Sequence, residues 1–343
     1  MCMIVYHEEY NKYDLGLDHP LIGDKPKKTL EFFKQKNLLS TIQVHNAPVA
    51  TEEDLLLVHT QSYINHIKYL SKHGGMLAVD TPAPKGIYQY ASRATGGTIY
   101  AGKKLFEEYH ITMNPLGGFH HAGRETSSGF CFFNDIAIVT EKLRKQEKLK
   151  RIAIIDIDVH HCNGTQEIYY SDPEVLCISI HQDGRTLYPG TGALDKIGCN
   201  NGEGFTVNIP LPPGSGNQSF LYAFNEIVVP VIRDFLPELL IFQSGVDAHH
   251  TDPLADLEMT YPLYFTIGKI MKKLSVDTGN RLLVLFGGGY NSMACIYSYY
   301  NLCSALLGNA ESIDEDERPD AKTVVVKDIV TSLKQVLSPY WIL

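Results

Sequence analysis

One short stretch, residues 151–164, constrains the fold of this chain more than any other. Ile152 to Ile155 form an apolar run of β-branched and small residues, which predicts a buried strand of a parallel sheet. Asp156, Asp158 and His160 then alternate with apolar residues, so an extended chain would place all three on one face at the carboxyl end of the strand. Burying two carboxylates there is costly unless a cation or several hydrogen-bond donors neutralise them.

Two interpretations of this pattern stay open at the level of these residues. In one, Asp158 and His160 bind a divalent metal ion, because the carboxyl ends of parallel strands are where open α/β sheets carry their sites. In the other, an aspartate caps the next helix and the histidine is a half-exposed residue that leads into it.

The rest of the chain predicts an α/β fold. Strands are predicted at 175–180, 205–211, 239–244 and 282–286, and helices between and around them at 30–36, 62–72, 87–108, 131–145, 219–235, 262–274, 292–307 and 326–337. Strands separated by helices imply right-handed βαβ units in one mostly parallel sheet with helices on both faces. Because the interior has no linker and no repeat, we expect a single domain over residues 1–343. The acidic segment 311–317 is predicted to be a solvated loop.

Composition narrows the classes of function. With 39 acidic and 30 basic residues, the formal net charge is −9, so we expect no direct binding of nucleic acid. The start of the chain has no basic region or cleavage site of a secretory signal, and no apolar run is long enough to cross a membrane. Seven scattered cysteines favour reduced thiols in a cytoplasmic protein.

Two further strand ends break the hydrophobic pattern. One strand finishes on Asp247, and another finishes on a glycine run followed by Tyr290. Because parallel strands share one carboxyl edge, Asp158, His160 and Asp247 can meet there, and three protein ligands with room for water describe a catalytic metal site. The alternatives are a helix-capping role for Asp247 and a core position for Tyr290.

A pair of histidines, His120 and His121, lies in a glycine-rich loop between two predicted helices. Adjacent histidines have low specificity as a motif and occur as solvated loop residues. Metal-assisted hydrolysis, however, needs a base for the attacking water and an acid for the leaving group, and two histidines supply both. The hydroxyl of Tyr290 would then stabilise the oxyanion.

Taken together, the motifs resemble those of the metal-dependent histone deacetylase superfamily, which includes acetoin-utilisation proteins and acetylpolyamine amidohydrolases. The motifs that recur in the family's order are His-His within 117–122, Gly129-Phe130 before 131–134, Asp-x-Asp-x-His-His from Asp156, Tyr188-Pro-Gly-Thr-Gly192, Asp247 with Asp252-Pro253, and Gly-Gly-Gly-Tyr290. The resemblance implies an arginase/deacetylase fold and hydrolysis of an acyl-lysine amide by a metal-activated water.

The same resemblance implies roles for single residues. The implied metal ligands are Asp158, His160 and Asp247, with zinc as the expected ion and iron(II) or cobalt(II) as alternatives. His120 would be the general base, oriented by Asp156, and His121 the general acid or electrostatic partner. Tyr290 would polarise the scissile carbonyl. A structural potassium ion is also implied, bound mainly through backbone oxygens of Asp156, Asp158, His160, Ser179 and Ile180.

For the substrate, the resemblance implies a narrow tunnel for an aliphatic chain. The implied wall residues are Gly129, Phe130 and Tyr188, with Gly288 from the glycine run. Asp80 resembles a rim carboxylate that accepts hydrogen bonds from the substrate backbone. Leu254 stands near the position where the polyamine-selective branch has a glutamate, and an apolar residue there favours acyl-lysine as the substrate.

Several residues depart from the family pattern. Asn163 stands where class I deacetylases have an aspartate beside the second histidine, which weakens the case for His121 as a charged acid. Cys162 replaces a glycine, and Lys28 stands where many members have an arginine near the pocket floor.

Alternatives to the acyl-lysine deacylase stay open. They are an amidohydrolase of acetylpolyamines or another small acylated amine, a module that binds acylated partners without turnover, and a binuclear arginase-like hydrolase with His120 as a ligand. The oligomeric state and the physiological substrate are not predicted.

Overall fold

The computed structural model describes residues 1–21 and 23–343, and its helices and strands lie within these residues. The strands are β1 (Cys2–Tyr6), β2 (Gln43–Asn46), β3 (Gly75–Ala78), β4 (Thr81–Ala83), β5 (Ile111–Asn114), β6 (Ile152–Asp156), β7 (Val175–Gln182), β8 (Thr206–Leu211), β9 (Leu239–Gln243) and β10 (Leu282–Leu285). The α-helices are α1 (Lys25–Gln35), α2 (Glu52–Leu55), α3 (Gln61–His73), α4 (Ile87–Lys104), α5 (Asp135–Glu147), α6 (Asn163–Tyr169), α7 (Asn217–Ala223), α8 (Val229–Phe235), α9 (Tyr261–Asp277), α10 (Ser292–Leu307) and α11 (Thr323–Leu337).

The predicted fold class is confirmed: this is an α/β chain whose sheet is mostly parallel. The chain has two compact units, one made of Met1–Leu149, Asn163–Ile168 and Leu283–Gly287, and the other of Lys150–Cys162, Tyr169–Leu282 and Gly288–Leu343. That a single catalytic domain spans residues 1–343 stays a prediction.

In the first unit, four strands lie in the order β2-β1-β5-β10, and β1 pairs in parallel with β2 and with β5. Helix α4 packs closely because it carries the pair Gly96 and Gly97. A Cβ at Gly96 would lie 2.3 Å from the carbonyl oxygen of Pro48, and one at Gly97 would lie 2.0 Å from the hydroxyl of Tyr10. The glycine pair therefore permits a close approach of the helix to its neighbours, at the usual cost in helix stability.

In the second unit, the strand order is β9-β6-β7-β8, and the three neighbouring pairs are all parallel. Every residue of these four strands is buried, as expected for parallel strands that are covered on both faces. The register places Asp156, at the end of β6, beside Gln243 of β9 and Ser179 of β7. Polar residues thus line up across three neighbouring strands, at the ends of β6 and β9 and within β7.

Some predicted boundaries are wrong for identifiable reasons. Helix α1 begins at Lys25 and not at residue 30, with Pro26 in its first turn, so Thr29 lies inside the helix and its hydroxyl donates to the carbonyl of Lys25. Helix α5 begins at Asp135, because Asn134 caps it by accepting the N–H of Ala137. The sequence did not predict β2, whose residues are largely polar and exposed.

Among the helices of residues 1–21 and 23–343, none combines the length and the apolar character that spanning a membrane requires.

Candidate active site

The turn that follows β6 places the first candidate ligands. The strand ends at Asp156, so Asp158 and His160 are not part of it, contrary to the prediction that the alternation continues along the strand. The reason is local: the N–H of Asp158 donates to Oδ1 of Asp156, and the N–H of His160 donates to Oδ1 of Asp158, both at 3.1 Å. Carboxylates therefore take the backbone donors that a neighbouring strand would otherwise pair.

Asp158, His160 and Asp247 nevertheless come together, as the strand-end pattern predicted. Nδ1 of His160 lies 3.1 Å from Oδ1 of Asp158 and 3.1 Å from Oδ2 of Asp247. All three residues are buried, and one ligand atom from each lies within 4.8 Å of the others. They meet because β6 and β9 are neighbouring parallel strands whose carboxyl ends share one edge.

Backbone and amide donors hold these carboxylates in place. Oδ2 of Asp158 accepts the N–H of Gly288 at 2.8 Å and the side-chain amide of Gln243 at 3.0 Å. Oδ1 of Asp247 accepts the N–H of Val159 at 2.8 Å. The donors fix the orientation of both carboxylates before any ligand arrives, as outer partners of metal ligands usually do.

At two positions the backbone passes so close to these carboxylates that only glycine fits. A Cβ at Gly288 would lie 2.3 Å from Oδ2 of Asp247 and 2.5 Å from Oδ2 of Asp158, and one at Gly245 would lie 2.2 Å from Oδ2 of Asp158. Any side chain at either position would push the carboxylates apart. Gly288, which was expected to contact substrate, thus lies against the candidate metal ligands.

The electrostatics of this group fit a divalent cation. Burial and the nearby charge of Asp158 raise the pKa of Asp247 to about 7, against the lowering effect of His160. Burial alone would lower the pKa of His160, but its hydrogen bonds to the two aspartates raise that pKa to about 10. Two buried carboxylates that face one imidazole suit a divalent cation, and one nitrogen with two carboxylate oxygens is a donor set typical of zinc.

Tyr290 lies next to this group in the same unit. Its ring centroid is 6.5 Å from that of His160, and its backbone N–H donates to Oδ2 of Asp252 at 2.7 Å. Asp252 is buried and also accepts the N–H of Leu254 at 3.1 Å. In the sequence, Asp252 belongs to a motif without an assigned role, and the structure shows that its carboxylate fixes the backbone of Tyr290.

Tyr188, expected to line the substrate tunnel, has its ring 6.2 Å from that of His160. Its side chain is 41% exposed, so it lies between the buried ligands and solvent. Leu254 is half-buried. These positions are compatible with contact to a substrate that enters from solvent.

The histidine pair belongs to the first unit. Nε2 of His120 lies 3.1 Å from Nε2 of His121, and both rings are buried. Nδ1 of His121 lies 2.6 Å from Oδ1 of Asn163. The loop that carries the pair is held by Asp135, whose carboxylate accepts the N–H groups of Gly118 and Phe119. Burial raises the pKa of Asp135, partly offset by these hydrogen bonds and one from Thr98.

Gly129 and Phe130 adjoin this pair, and both have positive φ, of 54° and 68°. A Cβ at Gly129 would lie 2.0 Å from Cδ2 of His121, so the glycine packs directly on the imidazole. Phe130 accepts a hydrogen bond from Tyr13 at its carbonyl, 2.6 Å away, and donates its N–H to Thr81 at 3.1 Å. These bonds maintain a backbone conformation that is strained for a phenylalanine.

Asp80, expected at the rim, is half-buried and already has partners. Its Oδ2 accepts the N–H of Gly129 at 2.9 Å, and its Oδ1 accepts the hydroxyl of Thr81 at 2.8 Å. Asp80 therefore positions the loop of Gly129, and each carboxylate oxygen keeps a second lone pair for a substrate donor.

Lys28, whose role the sequence left open, lies on the surface of α1 and forms an ion pair with Asp24 at 3.0 Å. Lys25, one turn earlier, donates to the carbonyl oxygen of Gly287 at 2.9 Å. Cys162 is buried with its sulfur 3.7 Å from that of Cys177.

Sequence reasoning missed Gln243 and Asn134. Gln243 ends the otherwise apolar strand β9, and its side-chain amide donates to Asp158. A polar residue at the last position of a buried strand is the sequence feature that could have identified it. Asn134 caps α5 and also donates to the carbonyl of Ala122, next to the histidine pair. The remaining predicted contacts, such as the orientation of His120 by Asp156, stay predictions.

The chain is similar to known proteins over most of its length. Residues 19–306 match the family model of the histone deacetylase domain. A probable deacetylase of Archaeoglobus fulgidus is 35% identical over 98% of this chain and 98% of its own length. Acetoin utilization proteins AcuC of Staphylococcus aureus and Bacillus subtilis are 34% and 33% identical, over 84% of this chain and 76% and 77% of their own.

A solved structure gives the same result. The crystal structure of the HDA15 HD domain superposes with a TM-score of 0.89 at 27% sequence identity, covering 99% of this chain and 95% of that one. The range matched by the family model contains the stretch from Asp80 to Tyr290, in which the candidate site residues lie.

Proposed function

The chain belongs to the histone deacetylase family of amide hydrolases, and from that premise we propose that it is a metal-dependent deacylase that hydrolyses the side-chain amide of N6-acyl-lysine in proteins or peptides. The observation that carries the proposal is the buried group of Asp158, His160 and Asp247, with Tyr290 fixed beside it. Two buried carboxylates are costly to keep in a core, and a bound cation would offset that cost.

Zinc is the ion that we propose for this group. Oδ atoms of Asp158 and Asp247 and Nδ1 of His160 would hold it, since these atoms face one another. When bound, a divalent ion there supplies Lewis acidity for an amide carbonyl and for a water molecule. A structural potassium ion near Asp156 and Ser179 is a further part of the proposal, supported by the pairing of these residues across β6 and β7.

His120 and His121 would handle the protons. Their Nε2 atoms lie 3.1 Å apart, so the two rings are in hydrogen-bond contact and a proton can pass between them. Asn163 accepts the Nδ1 hydrogen of His121 but stays neutral, so it stabilises an imidazolium less than a carboxylate would. We therefore assign His120 as the general base, oriented by Asp156, and His121 mainly as its electrostatic partner.

Tyr290 would stabilise the developing negative charge on the carbonyl oxygen. Its backbone N–H is held by Asp252, so the position of the residue is fixed through the main chain, and the phenol hydroxyl would donate to the substrate. Gly129, Phe130, Tyr188 and Leu254 would contact the aliphatic part of the acyl-lysine, and Asp80 its backbone. The seven scattered cysteines of the chain favour a reducing compartment, and we propose the cytoplasm.

One assay tests this function. Protein with its bound metal quantified is offered a panel of peptides with acetyl-lysine or longer acyl-lysine and, in parallel, acetylated putrescine and spermidine. The proposal expects higher kcat/KM for the peptides, since specificity is a ratio of these values. No hydrolysis of any acyl-lysine peptide by metal-loaded protein would contradict it.

A small acylated amine is the second candidate substrate, favoured by the relatives named for acetoin utilization. In this case acetylated polyamines or a related metabolite would be cleaved faster than every peptide. The apolar Leu254 argues against it, because a distant ammonium would find no carboxylate from that side chain.

A further inference from the structure

A second group of metal-type side chains lies outside the candidate active site. His249 and His250 follow Asp247 in the loop after β9, and Glu315 belongs to the acidic segment before α11. The sequence predicted this segment to be solvated and without function. Instead, Glu315 is half-buried and contacts both histidines, and these three residues are termed the histidine–glutamate cluster.

The geometry of the cluster matches that of a metal site. Nε2 of His249 lies 2.9 Å from Oε2 of Glu315, and Nε2 of His250 lies 2.8 Å from Oε1 of the same carboxylate. One ligand atom from each residue lies within 4.8 Å of the other two, the same closeness that Asp158, His160 and Asp247 show. Among the described residues these are the two groups with that arrangement.

Neighbouring groups fix the orientation of each ligand. Thr251 contacts Nδ1 of His249 with its hydroxyl, 3.0 Å away, and with its backbone N–H, 3.3 Å away, and so fixes the orientation of the ring that directs Nε2 at Glu315. The ring of His249 stacks on that of Tyr261 at 4.5 Å, and the N–H of Tyr261 donates to Oε2 of Glu315 at 3.0 Å. Contacts with Thr251 and Tyr261, which lie outside the cluster, therefore hold the imidazole of His249 and the carboxylate of Glu315 in place.

We propose that His249, His250 and Glu315 bind a second transition-metal ion of the zinc type. Two imidazole nitrogens and one carboxylate oxygen are a recognised zinc ligand set, and they leave a fourth position for water. That position can face solvent, because the side chains of His250 and Glu315 are 19% and 21% exposed whereas that of His249 is fully buried. Calcium and magnesium are disfavoured, since they select oxygen ligands.

The ion would connect two segments that are far apart in the chain. Glu315 lies 66 residues after His249 in a stretch without helix or strand, whereas His249 is two residues from Asp247. An ion at the cluster would therefore stabilise the acidic segment and the loop of Asp247 together. This site is independent of the proposed function, because none of its ligands has a role in the proposed reaction.

The test counts metal ions in tag-free, full-length protein after incubation with excess zinc chloride and gel filtration. Mass spectrometry should find two zinc ions per wild-type chain and one in Glu315→Gln or His250→Gln. Glu317→Gln, a neutralised neighbour on the same segment that is exposed, is the matched control and should keep two. Asp158→Asn should keep only the ion of the cluster, and the double variant Asp158→Asn/Glu315→Gln should keep none.

A second readout does not depend on catalysis. In the Asp158→Asn background, added zinc should raise the melting temperature, and Glu315→Gln should abolish that rise while Glu317→Gln preserves it. Circular dichroism checks that each variant is folded. If Glu315→Gln does not fold, His250→Gln takes its place in both measurements. Equal zinc content in the wild type and in both cluster variants would overturn the proposal and leave a purely hydrogen-bonded cluster.

Discussion

Nδ1 of His160 lies 3.1 Å from Oδ2 of Asp247, although 87 residues separate the two in the chain. The contact follows from the parallel pairing of β6 with β9, which brings both strand ends to one edge. These two buried side chains and that of Asp158 form the centre of the proposed chemistry. The residues packed around this centre hold the three side chains in place, and substitutions among them should change metal binding and catalysis.

Gly288→Ala should disrupt the carboxylate pair. The added Cβ would lie 2.3 Å from Oδ2 of Asp247 and 2.5 Å from Oδ2 of Asp158, so one carboxylate must move. We expect a loss of stability of about 1–3 kcal/mol and a loss of bound metal. Urea unfolding and metal analysis measure the two effects. Full metal content in a variant of wild-type stability would be inconsistent with the close packing of Gly288 on the two carboxylates.

Gln243→Met should weaken metal binding from outside the ligand set. Gln243 donates to Oδ2 of Asp158 and accepts the N–H of Gly245 at 2.6 Å, and methionine does neither. Losing such an outer partner typically lowers metal affinity by about 10–100-fold. Competition with a chelator measures the affinity. Gln218→Met, at an exposed position of α7, is the control, and equal affinities in both variants would refute the assignment.

Asn163→Asp should change the pH dependence of catalysis. Asn163 contacts Nδ1 of His121, so a carboxylate there would raise the pKa of that histidine by about one unit or more. The limb of the kcat/KM profile that reports on the histidine pair should move to higher pH, and Asn163→Leu should not reproduce the shift. Superimposable profiles for wild type and Asn163→Asp would exclude His121 from the titration that controls rate.

His59 should make the fold sensitive to acid. It is buried and accepts the N–H of Asn134 at Nε2, 3.0 Å away, and burial lowers its pKa from 6.5 to about 4. Between these values the unfolded chain binds a proton that the folded chain does not, so stability falls as the pH falls. The loss approaches about 3 kcal/mol at 1.36 kcal/mol per unit. In urea unfolding, His59→Gln should flatten this slope from pH 7 to pH 4.5, and parallel curves would contradict the prediction.

Local patterns predicted much of the fold, because an apolar run such as Ile152 to Ile155 has one good environment, the interior of a parallel sheet. The meeting of Asp158, His160 and Asp247 was predictable for the same reason, since all parallel strands end at one edge. The turn after Asp156 was not, because it depends on side chains that compete for backbone N–H groups.

Sequence patterns could not predict the contacts between loops that are distant in the chain. Nothing in the composition of the acidic segment indicates that Glu315 would reach His249 and His250, because that pairing is decided by the packing of α9 and its neighbours. The positive φ of Phe130 is likewise set by tertiary hydrogen bonds, since the residue itself disfavours that conformation.

Tyr290→Phe provides the most direct measurement of the central claim. The contact of Tyr290 with Asp252 uses the backbone N–H, so the variant should keep its fold and its metal and lose only the hydroxyl. With an acetyl-lysine peptide, we expect kcat/KM to fall by about 100-fold or more, the usual cost of one oxyanion donor. Undiminished hydrolysis by a variant with full metal content would contradict the proposed mechanism.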